Sequence, residues 1–144
     1  MKKYVLGFCL TPDGVVLIQK SKPDWQRGKW NGIGGSIEEG ETPMDAMLRE
    51  FREEAHIRTI ASQWTELFTL SGATLGNAAK PWQMTVFLGR TDGSLKELFP
   101  INIDEGRVDV LEMVPSPIDS TAAWLLPMCW DIERHKIALA TQPR

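Results

Sequence analysis

Residues 34–57 read GGSIEEGETPMDAMLREFREEAHI. Thr42 and Pro43 open a helix here. Threonine caps a helix, proline suits the first helical position, and Asp45 favours the positive helix end. The spacing predicts a helix running to about Ala55. At about 100° per residue, Met44, Met47, Leu48, Phe51 and Ala55 share one apolar stripe. Glu50, Glu53 and Glu54 lie beside that stripe at i, i+3 and i+4, as neighbours in space. Two readings compete for them. One is an ordinary solvated face, with Arg49 paired to Glu53 at i+4. The other is a metal site. The carboxylates abut the apolar stripe, where burial makes their repulsion costly, and they lie toward the helix C-terminus, where the dipole disfavours negative charge. A divalent cation reverses both penalties, and an all-oxygen set suits Mg²⁺ or Mn²⁺.

Outward from this helix the chain reads as strands. Tyr4–Leu10 and Val15–Gln19 are apolar runs separated by Pro12-Asp13-Gly14, the pattern of a mostly buried hairpin. Ser21–Trp30 has a basic bias and reads as an exposed loop. Asn31–Gly35 reads as too glycine-rich for a regular element. Downstream, strands are expected within Ile57–Leu70, over Trp82–Gly89 and over Arg107–Val110, with loops over Gly72–Pro81 and Phe99–Gly106. Asp119 or Ser120 can cap a last helix around Ala122–Asp131, which Pro127 is expected to kink. Strands mixed with two helices imply an α/β or α+β sandwich.

The bulk numbers fit this plan. A length of 144 residues suits one domain, 1–144, with a core that needs no staples. Apolar residues make up 42% and charged residues 24%, which excludes a disordered chain. The net charge of −3 argues against duplex nucleic acid as the main partner. Cys9 and Cys129 stand far apart without metal-ligand spacing, so two buried free thiols in a reducing compartment are expected. The opening MKKYVLGFCL reads as a strand rather than a leader, and no stretch is long enough to span a membrane. A cytoplasmic protein is the expectation.

From Gly35 the chain gives Gly35, five residues, Glu41, seven residues, then Arg49-Glu50-Phe51-Arg52-Glu53-Glu54-Ala55-His56-Ile57. This resembles the Nudix box, Gly-x5-Glu-x7-Arg-Glu-U-x-Glu-Glu-x-Gly-U, with U a bulky apolar residue. His56 is the one departure, standing where the family usually has a glycine that ends the helix in a left-handed conformation. The order of flanking strands and the last helix also looks like that family. The resemblance implies the Nudix fold, an α/β/α sandwich with a mixed sheet between helices. It implies Mg²⁺-dependent hydrolysis of a nucleoside diphosphate linked to another group, with Mn²⁺ as the alternative ion.

On the matching positions, the resemblance implies metal ligation by Glu50, Glu53, Glu54 and the Gly35 backbone, with Gly34 and Gly35 letting the chain pass close to metal and phosphate. Arg49 is expected to brace a glutamate. Glu41 is expected to bind metal or orient the loop. Ser36 stands where some relatives carry lysine. Glu105, before a strand and turn that look like a late Nudix segment, is a candidate general base outside the box. Lys29–Gly35 resembles the segment before the box in enzymes that destroy oxidised purine nucleoside triphosphates, which implies Asn31 as a purine contact. Asp119–Leu126 loosely resembles the part that supplies an acidic base-reader and an aromatic wall. Asp119 also suits a helix cap, and Trp124 also suits a core.

The leading expectation is therefore a pyrophosphohydrolase that converts a nucleoside triphosphate, such as 8-oxo-dGTP, to the monophosphate and pyrophosphate. The rivals are a nucleotide sugar, a dinucleoside polyphosphate, a pterin triphosphate or an RNA 5′ end as substrate, or a nucleotide-sensing module without catalysis. A homodimer is left open.

Overall fold

The computed structural model describes residues 1–74, 76 and 79–135. The part of the Gly72–Pro81 loop at positions 75, 77 and 78 lies outside the described residues. The elements are β1 (Lys2–Thr11), β2 (Gly14–Lys20), β3 (Trp30–Asn31), β4 (Ile33–Ser36), α1 (Pro43–Ala55), β5 (Trp64–Ala73), β6 (Pro81–Arg90), β7 (Ile101–Ile103), β8 (Gly106–Leu111) and α2 (Ser120–His135).

The strands form one mixed sheet in the order β5-β6-β1-β2-β8-β7. β1 and β6 pair in parallel, and the other strand pairings among the described residues are antiparallel. β1 has two partners along one edge. Tyr4–Gly7 pair with β4, whereas Cys9–Thr11 pair with β2. The sheet therefore splits near Phe8, and the short strands β3 and β4 fill the gap.

Each face of the sheet carries its own core. Val5, Cys9, Val16, Ile18 and Phe87 pack with Met47 and Phe51 of α1 on one side. Leu6, Phe8, Leu10, Leu17 and Val86 pack with Leu125 and Leu126 of α2 on the other. Burial on both faces explains why β1 and β2 are continuous apolar runs rather than alternating ones. The result is the helix–sheet–helix sandwich expected from the sequence. Among the described residues no helix is long and apolar enough to cross a membrane.

Four local expectations are corrected. Asn31–Gly35 is mostly strand: Asn31 ends β3, Gly32 links it to β4, Gly34 and Gly35 belong to β4, and a Cβ on Gly34 would lie 2.0 Å from the Val5 carbonyl oxygen. Glycine here lets two strands approach, not a loop wander. Phe99–Gly106 contains β7, which pairs with β8 through Ile101 and Val108. Ile60 is not part of the strand alternation. It is exposed, β5 begins at Trp64, and a bulge between Glu66 and Phe68 resets the register. Finally, α2 is longer than expected and continues past Pro127.

Candidate active site

Helix α1 begins with a full capping box. The Thr42 hydroxyl accepts from the Asp45 backbone at 3.1 Å, and the Asp45 carboxylate accepts from the Thr42 backbone at 3.1 Å. It ends at His56, whose backbone is left-handed with φ 60° and ψ 29°, and whose N–H donates to the Arg52 carbonyl at 3.0 Å. Histidine thus does the work of the usual terminal glycine. Between these ends, Met47, Phe51 and Ala55 face the core, and Phe51 meets Trp64 edge-on at 5.2 Å. That docking fixes the rotation of the helix and aims its glutamates at β4.

The glutamates line a cleft of about 480 Å³ together with Gly34, Gly35, Glu38, Arg49, Lys20 and the Asp104-Glu105 turn between β7 and β8. Glu54 is buried, and its carboxylate accepts from the Gly34 backbone at 3.2 Å. Burial, then the nearby Glu50 charge, pushes its pKa up to about 8; Lys20 and the Gly34 N–H oppose that rise. Burial also raises Glu50, and Arg49 partly offsets it. Glu53 is the more open of the three, with about half its side chain exposed.

Arg49 organises the cleft wall. It grips Glu41 with two parallel bonds, Nε to Oε2 at 2.7 Å and Nη2 to Oε1 at 3.0 Å. Its Nη1 donates to Glu50 at 2.9 Å and to Glu53 at 3.2 Å, and Nη2 also reaches the Ser36 carbonyl at 2.9 Å. These bonds, led by that to Glu41, keep the guanidinium charged. Arg49 in turn lowers the pKa of Glu41, which is held on the far side of the arginine and does not line the cleft. Glu41 also accepts from the Glu38 backbone at 2.8 Å, so it orients the loop.

The cleft fits a hard dication by two observations. Its donors are carboxylate oxygens, the set that Mg²⁺ and Mn²⁺ favour. A Cβ on Gly35 would stand 2.4 Å from Glu50 Oε1, so only glycine leaves this carboxylate its place against the β4 backbone. Among the described residues no three acidic, histidine or cysteine groups already stand as a ready-made metal cluster.

Glu105 stands at the cleft mouth, partly exposed, 3.7 Å from Lys20 Nζ and 3.7 Å from Lys22 Nζ. Asn31 and Asp119 do not line the glutamate cleft. They come together elsewhere, because the Asp119 N–H donates to the carbonyl of Trp30, the neighbour of Asn31, at 2.8 Å. Asp119 caps α2, accepting from Thr121 at 3.0 Å and Ala122 at 3.2 Å. Asn31 Oδ1 accepts from the Gly32 N–H at 2.8 Å. Trp124 is half exposed and stacks on Phe68 at 6.5 Å with a 12° tilt, so it is not core.

Sequence reasoning missed Lys20 and Asp104. Lys20 ends β2 and projects into the cleft with only 19% of its side chain exposed. The available signal was a lysine closing an apolar strand. Its partner Glu105 is remote in sequence, so the pairing was not visible.

Comparison with known proteins agrees with the fold and the family. Over 78 residues the chain is 35% identical to an uncharacterised Nudix hydrolase, YvcI, of Bacillus subtilis, covering 54% of this chain and 47% of that protein. Over 52 residues it is 44% identical to the mouse oxidized purine nucleoside triphosphate hydrolase, covering 36% and 33%. Over 51 residues it is 39% identical to the Escherichia coli dihydroneopterin triphosphate diphosphatase, covering 35% and 31%. The chain thus matches less than half the length of each of these relatives. The crystal structure of a MutT NUDIX hydrolase from Burkholderia pseudomallei superposes with a TM-score of 0.67 at 19% identity, covering 88% of this chain and 95% of that one. The NUDIX domain family model matches residues 2–125, and the chain belongs to that family.

Proposed function

We infer that this protein is a metal-dependent pyrophosphohydrolase that cleaves a nucleoside triphosphate to the monophosphate and pyrophosphate, with an oxidised purine nucleotide such as 8-oxo-dGTP as the leading substrate. The observation that carries the reading is the Glu50–Gly35 cradle beside the buried Glu54 carboxylate in an acidic cleft. An acidic cleft repels phosphates unless dications stand between, so Glu50, Glu53, Glu54 and the Gly35 carbonyl are assigned as their holders. When bound, Mg²⁺ or Mn²⁺ would polarise the phosphoryl oxygens and acidify an attacking water.

The chain's own groups supply the rest. Lys20 is placed to meet a phosphate oxygen at the cleft wall. Arg49 holds Glu50 and Glu53 in position and does not contact substrate. Glu105, opposite the helix, takes the water proton as general base. The water oxygen bonds to the α-phosphorus, the P–O bond to the α–β bridging oxygen breaks, and its electron pair leaves on the departing pyrophosphate. Asn31 and the free oxygen of Asp119, joined through Trp30, are assigned to the base edge.

A second triphosphate substrate is favoured by one finding: similarity to the dihydroneopterin triphosphate enzyme matches that to the oxidised purine enzyme in extent. A pterin offers hydrogen-bonding groups like those of a purine edge. The test is Mg²⁺-dependent turnover on a panel of guanine, 8-oxoguanine and pterin triphosphates, a nucleotide sugar and a dinucleoside polyphosphate, with products identified. Release of pyrophosphate from a triphosphate is expected. Cleavage of the sugar nucleotide alone would remove the triphosphate assignment. Tight nucleotide binding without turnover, unchanged by Glu54→Gln, would indicate a sensor.

A further inference from the structure

A second groove adjoins the acidic cleft and has the opposite charge. It has a volume of about 420 Å³ and shares Lys20 and Ile103 with the cleft. Its polar lining comes from Gln19, Lys20, Ser21, Arg27, Asn102 and Arg107, and none of its lining residues is acidic. The cleft next door carries six acidic side chains against Lys20 and Arg49. In a chain of net charge −3, such a separation of sign across one shared lysine calls for an explanation.

The walls are held by the backbone. The Ser21 N–H donates to the Glu105 carbonyl at 2.9 Å, and the Ser21 hydroxyl donates to the Asp104 carbonyl at 3.1 Å. On the other side, Gly28 N–H donates to the Lys20 carbonyl at 2.8 Å, and Gln19 Nε2 donates to the Gly28 carbonyl at 3.2 Å. Arg27 and Arg107 each meet one aspartate, Asp24 at 2.6 Å and Asp109 at 3.4 Å. The Arg27–Asp24 pair is largely exposed, and the Arg107–Asp109 contact is long with Arg107 exposed and Asp109 half-buried; an exposed or long ion pair holds a guanidinium only weakly against a competing phosphate.

We propose that this groove binds the terminal phosphates of the substrate, so that a triphosphate spans from the acidic cleft, across Lys20, to Arg27 and Arg107. The proposal rests on the pyrophosphohydrolase reading and sharpens it. The leaving group is then a pyrophosphate with charge beyond the scissile bond, which a nucleotide sugar lacks. Two guanidiniums, with Lys20 and the Asn102 amide on the same lining, match such an oxyanion.

The test is titration of the wild-type protein with magnesium pyrophosphate by calorimetry, beside the pairs Arg27→Gln/Arg107→Gln and Arg27→Lys/Arg107→Lys. Both arginines are well exposed, so neither pair threatens folding. The glutamine pair is expected to weaken pyrophosphate binding about tenfold, with the lysine pair restoring most of it. In steady state, the glutamine pair is expected to lower kcat/KM for a triphosphate by a similar factor. Unchanged pyrophosphate affinity in the glutamine pair, or equal loss in the lysine pair, overturns the proposal. Absence of any nucleotide turnover defeats the pyrophosphohydrolase reading instead, and the pyrophosphate titration still decides the groove.

Discussion

Gly35 and Glu54 show how one position can be set by charge rather than by packing volume. The site of the missing Cβ at Gly35 is taken by the Glu50 carboxylate, 2.4 Å away. Gly35→Ala must therefore displace that carboxylate, or β4 must shift. We expect a loss of stability of roughly 1–3 kcal/mol from the overlap. We also expect a weakened Mn²⁺ affinity, read by calorimetric titration; an unchanged affinity would detach Gly35 from the metal site. Glu54→Gln keeps shape and the bond from the Gly34 N–H but removes the charge. Mg²⁺-dependent turnover should then fall by roughly 10²-fold or more. Retention of wild-type kcat would remove Glu54 from the chemistry. Arg49 teaches the complementary lesson. It pairs with Glu38, Glu41, Glu50 and Glu53, yet its tightest grip is on Glu41, outside the cleft. Its charge is invested in the wall rather than in the pocket.

Helix α1 was the most legible element, because its cap, apolar stripe and carboxylate spacing are all local in sequence. The structure adds its C-terminus. His56 takes a left-handed conformation that is strained for a residue with a Cβ, by about 1 kcal/mol. His56→Gly should therefore stabilise the protein by about 0.5–1 kcal/mol, seen as a higher denaturant midpoint at unchanged slope. A lower midpoint would mean that the imidazole makes a compensating contact. β4 and β7 were not legible, for different reasons. The glycines of β4 look like a loop until the Val5 carbonyl is seen against them. β7 is only three residues long, and its pairing with β8 sets it rather than any internal pattern. The acidic half of the site could be read because it lies on one helix. On the other side Glu105 was named only through the resemblance, and its pairing with Lys20 could not be read, because a strand end and a hairpin turn meet through the β2–β8 pairing. Asn31 and Asp119 were named without any sign that two backbone bonds through Trp30, one to Pro117 and one from Asp119, join their segments of chain.

At the scale of the whole molecule, two buried features couple the core to solution conditions. Cys9 and Cys129 are buried in the two separate cores, and burial pushes both thiols up to about 12. Neither should react with a thiol reagent at neutral pH until the protein unfolds. Glu54 has the larger consequence. Its folded-state pKa of about 8 exceeds the ordinary value of 4.5, so between these limits the folded protein binds a proton that the unfolded chain has released. Stability of the metal-free protein is then greatest below the lower limit and declines as pH rises through the upper one. The groups facing Glu54 agree with this sign: Glu50 and Glu105 raise its pKa, and Lys20 opposes them without reversing the shift. Unfolding by denaturant in a chelator should show a loss on the order of a few kcal/mol between about pH 5 and pH 9. Glu54→Gln should flatten that decline, because it leaves nothing to ionise. Added Mg²⁺ should restore stability most at the alkaline end, where the carboxylates are charged and need a counter-ion. A wild-type protein whose metal-free stability is level across that range would show that Glu54 is ionised in the folded state already, and that the cleft tolerates its charges without a dication.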